Sequence, residues 1–126
     1  SHTDWSSKHF RFNDAGKVTV VYDWDSIEYL GELSSLAKAA ATFPYNWYTG
    51  QTSHTPTPAE SWGFIADYER ARGVPLTEEQ LCYCSAHCAY VIARICKARY
   101  SLNPDEADKA EESEWLRITH GGLYFE

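Results

Sequence analysis

HTDWSSKHFRFNDAGKVTVVYDWD, residues 2–25, is the stretch that decides how the chain is interpreted. Within it, the extended segments HFRF and KVTVVYDW flank NDAGK, whose Asn, Asp and Gly residues favour a turn. Residues 9–24 are therefore predicted to form a β-hairpin. Asp23 lies at its outgoing end, and alternation along the strand predicts that Asp23 and Asp25 lie on one side with Trp24 on the other.

The carboxylates of this stretch occupy positions that neither a helix nor a core requires. Asp4 lies in an irregular leading loop, and Asp23 ends a strand. If the loop converges on the strand end, Asp4, His9 and Asp23 surround one small volume. Such a trio suits phosphoryl transfer, in which a base orients the attacking hydroxyl while oxygen or nitrogen ligands hold Mg²⁺ on the phosphates. We expect Asp4 to be the base and His9 and Asp23 the metal ligands, with Asp25 helping through water.

Each of these acids also has a simpler structural interpretation. An Asp in a loop can stabilise a turn or cap a helix, and DWD can end a strand in solvent. The joint pattern and its spacing favour the functional interpretation over the structural one.

The remainder of the chain predicts about four helices. The apolar pattern of residues 26–43 is helical and stops at Pro44, after which an aromatic and polar loop runs to residue 57. Three later helices are indicated by N-cap patterns, namely Thr57 with Pro58 and Glu60, Thr77 with Gln80, and Asn103 with Pro104 and Glu106. Gly73 is predicted to close the first of them. The expected fold class is mainly α with a short β-hairpin (α+β), and residues 1–126 are expected to form a single domain.

Cysteines cluster on the helix predicted after Thr77. At about 100° per residue Cys82 and Cys84 point to nearly opposite sides, so all four thiols cannot bind one zinc ion. Cys84 and Cys88 share a face with apolar residues spaced by three and four, which indicates a core-facing stripe. A second stripe, of mixed polarity, is expected to be half-buried or in solvent, with a cleft wall as the alternative; it comprises Tyr83, His87, Tyr90, Arg94 and Lys97.

Composition excludes several partners. The formal net charge of −7 argues against nucleic acid and anionic membranes, since both require clustered Lys and Arg. The acid-rich residues 103–115 could attract a cationic substrate but are more simply a solvated helix. No apolar run approaches the roughly 20 residues of a membrane span, and no signal peptide is evident, so a cytoplasmic location is expected. Since the sequence contains no Met, we expect a C-terminal fragment of a longer protein.

HTDWSSKH, followed by a hairpin and VVYDWD, resembles the catalytic segment of the aminoglycoside phosphotransferase and choline kinase-like family. The family pattern is HxDx₄N, followed by IDWD or IDF. The resemblance is specific over residues 2–25 and is looser, a likeness of helical architecture, over the rest. It implies the helical C-terminal lobe of a protein kinase-like phosphotransferase, with the N-terminal nucleotide-binding lobe absent from this chain.

The resemblance also implies roles for single residues. Asp4 matches the catalytic base, Asp23 the metal-binding acid, and His2 the motif histidine that fixes the loop. His9 stands where most members have Asn. An imidazole nitrogen is a softer ligand than an amide oxygen, and Mg²⁺ prefers oxygen. Either this branch uses His at that position or metal binding is weakened.

The expected function is ATP-dependent, Mg²⁺-assisted transfer of the γ-phosphate to a small-molecule hydroxyl, and the acidic charge is compatible with a cationic substrate. The sequence contains neither a GxxxxGK[ST] loop nor a kinase-type glycine-rich hairpin with a strand Lys. The isolated chain is therefore expected to be inactive. The alternative is a non-catalytic binding or regulatory module on a kinase-like scaffold.

Overall fold

The computed structural model describes residues 1–44 and 56–102. Within these residues the elements are a 3₁₀ turn (Ser7–His9), strands β1 (Phe10–Phe12) and β2 (Val18–Val21), and helices α1 (Glu32–Thr42), α2 (Pro58–Arg72) and α3 (Glu78–Leu102). This confirms the predicted fold class, mainly α with a short β-hairpin. The predictions for most of the 44–57 loop, for the helix after Asn103 and for the acid-rich run lie outside the described residues.

The hairpin forms where the sequence predicts it. Strands β1 and β2 are antiparallel, and Phe10 pairs with Val21. In the turn, Asn13 Oδ1 accepts hydrogen bonds from two backbone amides, at 3.1 and 2.9 Å. Gly16 adopts a φ of +73°, a conformation that side-chain-bearing residues rarely tolerate. The Asn and Gly of NDAGK thus supply the chemistry that reverses the chain.

Helix α1 begins later than predicted. Its first residue is Glu32, not Ser26, and Gly31 precedes it without a side-chain cap. Before it, Ile27 forms an antiparallel bridge with His2, and the Glu28 amide donates to the Ser1 carbonyl at 3.0 Å. This pairing with the start of the chain withdraws residues 26–28 from the helix, and periodicity within the segment could not reveal it.

The caps of α2 and α3 confirm the sequence prediction. At the start of α2, the Glu60 amide donates to Thr57 Oγ1 at 3.3 Å and the Thr57 amide donates to Glu60 Oε2 at 2.7 Å. Gly73 ends α2 in the left-handed conformation, with φ +76°. Before α3, Thr77 and Gln80 make the equivalent reciprocal bonds at 2.9 and 3.2 Å. These bonds satisfy amides that have no partner within the helix.

The core lies where α1 packs against α2 and α3. Ala37 and Ala40 are fully buried, and their small side chains let the neighbouring helices approach the α1 backbone. Ser61 Oγ donates to the Ala40 carbonyl at 3.0 Å, and Cys88 Sγ donates to the Ala37 carbonyl at 3.2 Å. The core residues are Leu36, Ala37, Ala40, Ala41, Ile65, Leu76, Cys84, Cys88, Val91 and Ile92.

Helix α3 has the two faces that its sequence predicts. Cys84 and Cys88 are buried in the core, whereas Cys82 is exposed. On the mixed stripe, the His87 ring lies 5.8 Å from that of Tyr83 and 6.0 Å from that of Tyr90, and both tyrosines are exposed. Desolvation is the main cause that lowers the pKa of His87, and the positive charge of Lys38 lowers it further. Within the described part of the chain, neither α3 nor another helix has the length and apolar character needed to cross a membrane.

Candidate metal centre

The loop that contains Asp4 is attached at both ends to the segment that leaves the hairpin. On one side, Thr3 donates to the Ser26 carbonyl through its amide at 2.9 Å and its hydroxyl at 2.7 Å. On the other side, the Tyr22 amide donates to the His9 carbonyl at 3.1 Å, which continues the hairpin pairing by one step. Residues 4–9 are therefore held beside residues 22–26.

His2 anchors this loop from within. Its side chain is buried, and Nε2 lies 3.2 Å from the Tyr22 carbonyl oxygen, to which it can donate. The imidazole contacts two indole rings, that of Trp5 at 5.4 Å and that of Trp24 at 5.0 Å between centroids. The loop-fixing role that the resemblance implies for His2 stays a prediction.

His9 is buried, at 5% exposure, and both of its ring nitrogens have protein partners. Nδ1 lies 3.0 Å from the Asp4 carbonyl oxygen, so this nitrogen carries the proton and donates it. Nε2 lies 2.8 Å from Asp23 Oδ2. In a neutral imidazole with this tautomer, Nε2 carries no proton, so its lone pair faces a carboxylate oxygen that also has only lone pairs to offer. A cation, either a proton or a metal ion, is required to make that contact favourable.

The backbone at Asp23 directs its carboxylate toward His9. Its φ of +67° makes it the one non-glycine residue among those described with a positive φ, a conformation that Asp tolerates better than most residues. Strand β2 ends at Val21, so the expected alternation of Asp23 and Asp25 on one side of a strand is wrong. Asp25 is exposed, and its Oδ1 accepts from the Ser26 hydroxyl at 3.2 Å.

Asp4 completes the cluster on the other edge of the imidazole. Its Oδ2 lies 3.7 Å from His9 Nδ1, and the Asp4 and Asp23 side chains are both partly exposed. One potential ligand atom from each of Asp4, His9 and Asp23 lies within 4.8 Å of the other two. The predicted convergence of these three side chains is confirmed, and their chemical roles stay predictions. Asp25 is not part of the group.

The donor atoms of His9 and Asp23 fit a divalent cation. Six-coordinate ligands at about 2.1 Å from an ion, and at right angles, lie about 3.0 Å apart. The observed separation of His9 Nε2 and Asp23 Oδ2, 2.8 Å, is close to this value. A hydrogen bond from the second imidazole nitrogen to a backbone carbonyl, as His9 makes to Asp4, is the usual support of a metal-binding His. Solvent access at Asp23 leaves room for water or phosphate oxygens.

Three contributors to the site were missed from the sequence, namely the Asp4 carbonyl and the Trp5 and Trp24 rings. The Asp4 carbonyl that orients His9 is a main-chain atom, so no residue type announces it. The rings of Trp5 and Trp24 contact that of His2, and here a signal existed, because each Trp immediately follows an acid of the cluster. The repeated Asp-Trp dipeptide marks both segments that meet at the site.

Comparisons of the chain with protein-family models, with curated proteins and with solved structures find no match. The interpretation of the site therefore rests on the contacts described above.

Proposed function

We propose that the chain is part of an ATP-dependent phosphotransferase that transfers the γ-phosphate to the hydroxyl of a small molecule. The observation that supports this most is the arrangement of the cluster around one imidazole. His9 Nε2 and Asp23 lie together on one edge, and the Asp4 carboxylate lies beside the other. A metal-binding pair with a separate carboxylate nearby is what phosphoryl transfer requires.

In this proposal the residues divide between holding the phosphates and orienting the hydroxyl. His9 and Asp23 would hold Mg²⁺, which neutralises charge on the phosphates when bound. Asp4 accepts the substrate hydroxyl proton and orients the attacking oxygen, since its carboxylate is accessible to solvent. His9 does not compete for the role of base, because both of its nitrogens are engaged. Asp25 acts on the site only through water, and His2 holds the loop.

We further propose that ATP is bound mainly by a separate N-terminal lobe of a kinase-like parent protein in the cytoplasm. The sequence of this chain contains no phosphate-binding glycine-rich motif with a Lys. The chain alone would then show no turnover. A cationic substrate would suit its net charge of −7.

A non-catalytic binding or regulatory module is the second candidate, and the His9–Asp23 contact is the observation that favours it. With a protonated His9, the 2.8 Å contact is a complete ion pair that fixes the loop without a metal ion. Such a module catalyses no reaction, so the Asp4 carboxylate would have no catalytic role in it.

The test is a phosphotransfer assay on the full-length parent protein with ATP and Mg²⁺. Aminoglycosides, macrolides, choline and small hydroxylated metabolites serve as the substrate panel. We expect transfer to at least one of them, and its loss in Asp4→Asn with nucleotide binding nearly unchanged. Asp14→Asn, in the exposed hairpin turn, is the control and should retain most of the activity. Undiminished transfer in Asp4→Asn would refute the assignment of the base, and no transfer to any substrate would favour the binding module.

A further inference from the structure

We propose that the pair formed by His9 Nε2 and Asp23 Oδ2 binds Mn²⁺ in preference to Mg²⁺. The proposed function supplies only the reason why an ion would bind here; the preference for Mn²⁺ is argued from the donor atoms. Its starting point is the donor set, in which one of the two ligands is an imidazole nitrogen.

The chemistry of the donors separates the two ions. Mg²⁺ is small and hard, and its protein ligands are mostly carboxylate and other oxygens. An imidazole nitrogen suits first-row transition ions, and Mn²⁺ also accepts the carboxylate and water oxygens that complete an octahedron. A site with one nitrogen and one carboxylate oxygen therefore favours Mn²⁺ over Mg²⁺.

The structure keeps the nitrogen in place. His9 is buried, Nδ1 is bonded to the Asp4 carbonyl at 3.0 Å, and the His2 ring lies 6.1 Å away, centroid to centroid. Rotation of the imidazole to let water or an oxygen ligand take its position would break the Nδ1 bond and the Asp23 contact together. Mg²⁺ therefore cannot exchange the nitrogen for an oxygen without the loss of these contacts.

The test is an EPR titration of the full 126-residue chain with Mn²⁺ alone, followed by displacement with Mg²⁺. We expect the dissociation constant for Mg²⁺ to exceed that for Mn²⁺ by about tenfold or more. Pulsed EPR of the Mn²⁺-loaded chain should show coupling to an imidazole ¹⁴N. In His9→Asn the coupling should disappear and the selectivity should fall, whereas Asp14→Asn, at an exposed acid of the hairpin turn, should change neither.

The outcomes separate this inference from the proposed function. Equal affinities, bound Mn²⁺ without ¹⁴N coupling, or no binding of Mn²⁺ would each overturn the inference. The coupling is measured on the unaltered chain, so a His9→Asn variant that fails to fold does not decide the result. Absence of phosphotransfer with either ion would refute the proposed function and leave the measured Mn²⁺ preference intact.

Discussion

Asp23 meets three requirements at once, and few residue types could meet them. It directly follows Tyr22, the last residue of the hairpin pairing, it adopts a φ of +67°, and its carboxylate contacts His9 Nε2. Gly, Asn and Asp tolerate a positive φ, and of these only Asp adds a negative charge. The backbone conformation and the ligand are therefore provided by the same side chain.

The positive φ of Asp23 leads to the first prediction, which is that Asp23→Gly is more stable than Asp23→Ala. Asp23→Gly and Asp23→Ala both remove the carboxylate and differ only in the methyl group. At an ordinary position Ala is more stable than Gly by roughly 0.4–1 kcal/mol. At a left-handed position, Ala costs about 1–2 kcal/mol. We expect Asp23→Ala to have the lower free energy of unfolding in urea. The opposite order would show that residue 23 does not hold a positive φ in solution.

The parts of the site that the sequence predicted depend on local pairing. Asp4, His9 and Asp23 could be brought together on paper because the hairpin reverses the chain between His9 and Asp23. The placement of Asp25 failed because alternation holds only while a strand continues, and β2 ends at Val21. The orientation of the His9 ring depends on a backbone carbonyl and was beyond sequence reasoning.

The capping box at the start of α2 yields the second prediction. Thr57 and Glu60 satisfy each other's backbone amides, since the Glu60 amide donates to Thr57 Oγ1 and the Thr57 amide donates to Glu60 Oε2. Thr57→Ala should lower the free energy of unfolding by about 1 kcal/mol. Thr57→Ser, which keeps the hydroxyl, is the matched control and should be close to the wild type. Thermal and urea unfolding followed by circular dichroism measure both, and equal losses in the two variants would contradict the cap.

Helix α3 contributes a third prediction through its buried thiols. Desolvation raises the pKa of Cys88 to about 12 from an ordinary value of 9.0, and that of Cys84 to about 11. Above pH 9 these thiols ionise in the unfolded chain before they do so in the folded one. The unfolded state then binds fewer protons, so the free energy of unfolding falls as pH rises, by about 1.4 kcal/mol per pH unit for each thiol.

Urea unfolding between about pH 8.5 and 10.5, a range that begins near the ordinary pKa of a thiol, measures this decline. Cys88→Ala should be less stable at neutral pH, because it leaves a cavity, but its stability should fall less steeply with pH. Cys82→Ala, at an exposed position, is the control, and its curve should run parallel to the wild type. A parallel curve for Cys88→Ala would refute the argument.

The accuracy of the element predictions follows from the range of the interactions involved. The hairpin turn, the α2 caps and the start of α3 depend on residues within about four positions of one another, and all were predicted. The start of α1 depends on pairing between residues 2 and 27, which no local pattern contains. The core face of α3 was predictable because Cys84 and Cys88 repeat at the helical period.

The loop of residues 2–9 and the helices are joined by a continuous series of aromatic contacts. The Phe10 ring stacks on Trp5 at 5.4 Å and meets Phe43 at 5.3 Å, and Phe43 in turn lies 5.4 Å from Phe64 of α2. Thr42, the last residue of α1, donates from its hydroxyl to the Trp5 carbonyl at 2.7 Å. The loop and the helical core are therefore expected to unfold together.

Cooperative unfolding makes metal binding and helix stability measurable in one experiment. If the molecule unfolds as a unit, Mn²⁺ at 100 times its dissociation constant adds about 2.7 kcal/mol to the free energy of unfolding, although the proposed ligands His9 and Asp23 lie outside α1, α2 and α3. Far-UV circular dichroism in urea, which follows the helices, should show the whole of this shift. Phe43→Ala interrupts the aromatic contact, and in this variant the helical transition should respond less to Mn²⁺. If bound Mn²⁺ does not shift the helical transition of the wild type, the loop unfolds independently of the helices. A ligand stabilises only the structure that is lost together with its site.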